Sequence, residues 1–403
     1  MIKILFFNGG RGASNIINSA IATNNFQISS IVNAYDDGKS TGEIRNFFNM
    51  LGPSDIRKVQ ENFIPQNIPD TLNITNLFKL RFPNDIENCL CVNEFIKFTN
   101  DLNSFLIPIK IIDKNLKSSL YEVINIFIEN VDYYQNINKK LFNFSDCSFL
   151  NCLYVGAFFK FNRNLLKAIN YISNLFFLNV NVLPNSLDNK ILVGLREDGK
   201  MLYSESEIVE LRSNVRLENI FLLDFVPKYE FFDKLTIEEK RHYLISHNSS
   251  INLLPEANKA IDEADIVIYS PGTQHSSLYP TYMTNNVANV IAQNTNALKI
   301  FITNIGADYE SPIYIASEYL KNAYKYLNRP NNIKNTYRNL FHYNFVNDVN
   351  KNNFDKEQVL YDANGFNGID LNIILDDFED KKKLGQHDGK KVIDKIQELY
   401  KKH

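Results

Sequence analysis

The first 35 residues narrow the choice of fold more than any other part of the chain. Residues 2–7, IKILFF, form an uninterrupted apolar run that breaks at NGGRGAS. A helix is predicted over about 14–23, and a second strand, ISSIVNAY, over 28–35. Strand, glycine-rich turn, helix and strand make a βαβ unit, which implies a parallel sheet covered on both faces. Ligands of such sheets sit beyond the carboxyl ends of the strands. Asn8, Gly9, Gly10, Asp36 and Asp37 all fall on that side.

Further along, Leu116, Leu120, Val123, Phe127, Val131 and Tyr134 recur at steps of three or four. That spacing predicts helix and marks 85–145 as a helical insertion, expected to lie over the strand ends. Helices are expected at about 148–161 and 164–177, then short strands near 178–183, 190–195 and 217–224. From 255 a second α/β segment reads as helix PEANKAIDEA, strand DIVIYS, loop PGTQHSSLYP, a helix around 284–294 and strand ALKIFITN. Residues 330–385 are rich in Asn and Asp and read as surface elaboration, and 386–403 as a closing amphipathic helix. The expected organisation is therefore an α/β core made of 1–84 and 146–329, interrupted by the insertion and completed by the last helix.

Composition excludes several classes of function. With 44% apolar and 22% charged residues the chain is globular. A net charge of −3 gives no electrostatic footprint for nucleic acid or an anionic membrane. No stretch reaches the roughly 18 apolar residues of a spanning helix, and the N-terminal apolar run is too short for a signal sequence. Cys89, Cys91, Cys147 and Cys152 have no histidine close by and read as reduced thiols. A cytoplasmic location is expected.

Three loops carry candidate chemistry. In NGGRGAS, Gly9, Gly10 and Gly12 allow main-chain N–H groups to approach a phosphate, with a helix N-terminus behind them. Their spacing is neither a dinucleotide fingerprint nor a P-loop, which disfavours an NAD-dependent dehydrogenase, and a tight turn without ligand is the bland reading. In AYDDGKSTGEIR, Asp36 and Asp37 repel each other unless a cation or donors hold them. Hard carboxylate oxygens suit Mg²⁺, and Ser40, Thr41 and Arg45 are placed to meet phosphate oxygens. GPSDIRK adds Asp55 and Arg57, although Asp36 and Asp55 also suit helix N-caps. Asp37 and Asp55 are the expected metal ligands, with Asp37 facing the ion. In the third loop Pro271 and Gly272 set a turn, and Thr273, Gln274, Ser276 and Ser277 present donors. His275 reads as a hydrogen-bonded bystander, and no nucleophile elbow or Ser-His-Asp order is present.

The segments NAYDDGKSTGEIRNFF, GPSDIRK, FLNCLYVGAFF, LREDGKMLYSES, ADIVIYSPGTQHSSLYPTYMTNNVANVI and KIFITNI stand in the order of one superfamily. The chain resembles the 2-phospho-L-lactate transferases (CofD) and the related gluconeogenesis factors (YvcK) over about 1–83, 146–326 and the last helix. The resemblance implies an α/β fold with a doubly wound, Rossmann-like parallel sheet, here with a helical insertion and an irregular C-terminal elaboration. It also implies a nucleoside-diphosphate-linked small molecule of GDP or UDP type bound between these loops, and it admits a homodimer.

On the transferase branch, Asp36, Asp37 and Asp55 would be the catalytic carboxylates, holding Mg²⁺ or the acceptor. Asn8, Gly9, Gly10 and Gly12 would bind phosphate, and Asn151, Gly272 and Thr273 would line the nucleotide and acceptor pocket. A phospho-linked group would pass to an acceptor alcohol with release of a nucleoside monophosphate. On the other branch the same loops would serve a nucleotide-sugar sensor regulating cell-wall or carbon metabolism. Four positions depart from the pattern: Asn8 and Arg11, since Asn8-Gly9-Gly10-Arg11-Gly12 replaces the usual Gly-Gly-Gly-Thr-Gly, and Lys39 and Ser54, which replace glycines. These changes leave donor and acceptor open.

Overall fold

The computed structural model describes residues 1–331, 334–348 and 358–403. It contains two compact units, one made of Met1–Tyr35 and Leu183–His403, the other of Asp36–Val182.

A seven-stranded parallel sheet organises the first unit. Its strands are β1 (Ile2–Asn8), β2 (Phe26–Val32), β3 (Asn181–Pro184), β7 (Ile266–Tyr269), β8 (Leu298–Ile302), β9 (Tyr343–Asn347) and β10 (Asn372–Asp376). Their order is β10-β9-β8-β7-β1-β2-β3. Pairing is parallel from β2 through β10; Ile4 lies opposite Ile28 on one side and Ile266 on the other. The apolar run IVIY, and LKIFI with its single buried Lys299, are buried at every position, as a sheet covered on both faces requires. Order reverses between β1 and β7. That reversal is a topological switch point, where the loops leaving two neighbouring strands diverge and open a crevice.

Between β3 and β7 lies a smaller antiparallel sheet of β4 (Ile191–Arg196), β5 (Met201–Leu202) and β6 (Leu217–Leu223). Val193, Leu195, Met201, Phe221 and Leu223 bury there against Phe232 and Leu244, a separate apolar cluster within the unit. The closing helix Gly389–Tyr400 packs on Ser14–Ala22.

Two expectations about organisation need correction. Residues 330–385 are not only surface elaboration, since Tyr343–Asn347 and Asn372–Asp376 extend the central sheet. The asparagines that hid YNFVN from the sequence reading work structurally: Asn344 Oδ1 accepts from Thr303 Oγ1 at 2.9 Å, and Asn347 Oδ1 from the Phe378 amide at 2.9 Å. Positions 332–333 and 349–357 of that stretch lie outside the described residues.

The insertion, moreover, does not end at 145. In the Asp36–Val182 unit the helix Lys114–Asn138 packs on Phe149–Lys160, which packs on Leu165–Leu175. Residues 149–158 are buried throughout, so this helix takes the apolar stripe Leu116, Leu120, Val123, Phe127 and Val131 on one side and a second helix on the other. An all-round apolar helix needs neighbours on every face, which draws the helices of 149–175 into this unit.

Candidate functional site

The switch point lies between two short loops. β1 ends at Asn8, which is 1% exposed and whose amide oxygen and nitrogen both lack a hydrogen-bond partner among the described residues. A buried unpaired amide is costly and calls for an occupant. Gly10 follows at φ 76°, a region that glycine enters freely. Gly12 is pressed against the other loop: a Cβ there would stand 2.5 Å from the Pro271 carbonyl oxygen and 2.7 Å from the Gly272 Cα. A Cβ on Gly9 would meet the Ser277 Cβ at 2.4 Å. No larger residue fits at either position without moving the neighbouring loop.

The loop after β7 is fixed from below. Asn304, on the loop after β8, accepts from the Gly272 amide at 2.9 Å and donates to its carbonyl at 3.0 Å. Gln274 Nε2 donates to the same carbonyl at 2.9 Å, and Thr273 Oγ1 and Ser277 Oγ share a bond of 2.8 Å. Asn33 Nδ2 donates to the Ser277 carbonyl at 2.9 Å. Gln274–Leu278 form a π-helical turn, a wide and uncommon geometry often found at functional sites. Ser276 was expected to face a ligand, but its amide and hydroxyl reach Glu310 at 2.9 and 2.5 Å. Burial and the neighbouring Asp308 push the Glu310 carboxyl up to about 8, and burial pushes Asp308 up to about 6. His275 is enclosed by the Tyr279, Tyr314 and Tyr326 rings, and burial lowers its pKa to about 3. It is therefore neutral, and, unlike the hydrogen-bonded histidine expected, its buried Nδ1 has no partner among the described residues. Asn33, Asn304 and Glu310 were missed in the sequence; an Asn after each of two buried strands, SSIVN and IFITN, was the available signal.

The second polar group belongs to the Asp36–Val182 unit. Asp36 Oδ1 accepts from the Gly38 amide at 3.0 Å, which turns the chain into the helix Lys39–Phe48. Thr41 and Ser54 share a hydroxyl–hydroxyl bond, and the buried Asn151 donates to Ser54 Oγ at 3.2 Å and to Ser40 Oγ at 3.4 Å. Ser54, where the superfamily commonly has glycine, thus ties the two loops of this unit together. Arg45 Nη1 reaches the Asp36 carbonyl at 3.4 Å, and Arg57 Nη1 donates to the Phe78 carbonyl at 3.0 Å.

Asp55, whose side chain is 6% exposed, lies 2.7 Å from Lys58 Nζ, and Asp36 Oδ2 lies 3.7 Å from the same ammonium. Burial raises the Asp36 pKa against the pull of Lys58, and Asp55 raises that of Lys58. Asp36 and Asp55 thus share Lys58 as their counter-ion. A divalent ion on Asp37 and Asp55 does not fit this donor set. Among the described residues no three His, Cys, Asp or Glu side chains gather to hold a metal, and Lys58 already holds the carboxylate that would have to serve.

The sequence profile of the 2-phospho-L-lactate transferase CofD family matches residues 4–379. The chain belongs to that family. A Thermotoga maritima protein provisionally named a gluconeogenesis factor is 23% identical over 331 residues, 81% of this chain and 76% of its own. The gluconeogenesis factor of Listeria innocua is 22% identical over 75% of this chain and 66% of its own length. A solved structure of a UPF0052 family member from Bacillus halodurans aligns with a TM-score of 0.67 at 20% identity, covering 98% of this chain and 100% of that one. This likeness carries the fold, a Rossmann-like α/β sheet flanked by helices. Among the described residues no helix is long and apolar enough to cross a membrane.

Proposed function

We propose that this chain binds a nucleoside-diphosphate-linked small molecule, of GDP or UDP type, at the β1–β7 switch point. Its diphosphate would lie against the main-chain amides of Gly9–Gly12, beside the Pro271–Thr273 turn whose Gly272 amide is held by Asn304. One observation carries the reading. At the carboxyl end of β1, glycines held within van der Waals contact of the opposite loop flank a buried Asn8 amide that has no partner among the described residues. Backbone donors that can be approached this closely are what a diphosphate needs, and a strand end opening into a helix favours its charge. We further propose that binding serves regulation of carbon or cell-wall metabolism, a reading in keeping with relatives named gluconeogenesis factors. Transfer of a phospho-linked group to an acceptor alcohol, supported by the family's description, is the second reading. Phosphoryl-type transfer rests on positioning and charge neutralisation. Two of the candidate metal carboxylates, Asp36 and Asp55, are engaged with Lys58.

Calorimetric titration with GDP, UDP, CDP and UDP-sugars tests the reading. One nucleoside diphosphate or its sugar conjugate should bind saturably, and incubation with acceptor alcohols should release no nucleoside monophosphate. If nothing in the panel binds, the proposal fails. Acceptor-dependent monophosphate release would instead establish the transferase reading.

A further inference from the structure

We propose that Lys58 is the resident cation of the Asp36–Asp55 carboxylate pair, so that this pocket is neutralised from within and takes no divalent ion of its own. The two carboxylates are little exposed, 6% for Asp55 and 13% for Asp36. Two carboxylates brought together away from water need a counter-ion, because leaving either charge unpaired inside a protein is costly. Lys58 lies within 4 Å of both.

The helix Ser54–Gln60 makes this arrangement. Asp55 and Lys58 stand three positions apart on it and so share a face, and the cation is delivered by the same element as its principal partner. Asp36 comes to it from the preceding loop, where Gly38 occupies one carboxylate oxygen and leaves the other for Lys58. A hard divalent ion binds through one or two carboxylates and keeps several waters. Here it would have to displace an ammonium already 2.7 Å from Asp55, and among the described residues no third acidic or imidazole ligand stands close enough to compensate. Lys58 is accordingly a positioning residue: it holds the Asp36 loop against the Ser54–Gln60 helix.

Mg²⁺ alone, with no nucleotide, tests this on the full chain, so the outcome is separate from whether the switch point binds a nucleotide. Melting midpoints are measured with and without Mg²⁺, at matched ionic strength in KCl, for the parent, Lys58→Gln and the double variant Asp36→Asn/Lys58→Gln. The parent should not respond to Mg²⁺. Lys58→Gln should melt lower and recover towards the parent midpoint as Mg²⁺ is added, because the empty cation position is then open to it. Removing one of the two charges should abolish that recovery. A parent that is stabilised by Mg²⁺, or a folded Lys58→Gln with no Mg²⁺ response, overturns the proposal. Should Lys58→Gln not fold, calorimetric titration of the parent decides: no saturable Mg²⁺ binding supports the proposal, and saturable binding lost in Asp36→Asn refutes it.

Discussion

Glu310 is a carboxylate beneath a loop that a phosphate should approach, and it takes both donors of Ser276. Its protonation keeps that loop neutral. Burial raises its pKa from 4.5 to about 8, so the folded chain holds this proton more tightly than the unfolded chain does. Below about pH 4.5 both states are protonated and the group costs nothing. As pH rises, the unfolded chain ionises first, and stability falls until about pH 8, where the folded chain ionises too. Glu310→Gln keeps the shape and should flatten that fall. Urea unfolding midpoints of parent and variant across this window give the comparison, and an unchanged slope in the variant would assign the pH dependence elsewhere. Such roles were not legible in the sequence. SPGTQHSSLYP showed a loop of donors, but not that Ser276 spends its own on a residue 34 positions away. Likewise the pair DD announced a charge problem. That Asp36 shares a lysine of the helix Ser54–Gln60 depends on loop geometry that spacing does not encode.

Elements were more readable than residues. The period of Leu116 through Val131 and the apolar runs of β1, β2, β7 and β8 report burial directly, because helices and doubly covered strands must bury those patterns. β9 and β10 stayed hidden, since at a sheet margin polar side chains replace the apolar run. Helix packing also depends on a feature with no periodic signal. Gly156 faces Lys114–Asn138 so closely that a Cβ would lie 2.1 Å from the Val123 carbonyl oxygen. Helix propensity alone predicts that Gly156→Ala stabilises by about 0.8–1.0 kcal/mol. Packing predicts the opposite sign, because forcing backbones apart in a filled interior costs about 1–3 kcal/mol. Chemical denaturation should show Gly156→Ala destabilised by roughly that amount. A stabilised variant would mean that the two helices can separate freely at this point.

For the whole molecule, the N-terminal βαβ unit was enough to predict a parallel sheet, and the resemblance supplied its doubly wound topology. The boundary of the Asp36–Val182 unit was not legible, because what joins 146–182 to the insertion is burial on all faces of Phe149–Lys160, a three-dimensional fact. The proposed nucleoside-diphosphate ligand would sit where β1 and β7 diverge. Hydrogen–deuterium exchange with and without the best-binding nucleotide measures this directly. At a hundredfold excess over its Kd, bound ligand adds about 2.7 kcal/mol to the native state, ample to slow exchange locally. Peptides covering residues 8–14 and 270–278 should exchange more slowly when the nucleotide is bound. Saturating nucleotide that leaves both peptides unchanged while protecting other regions would contradict the account.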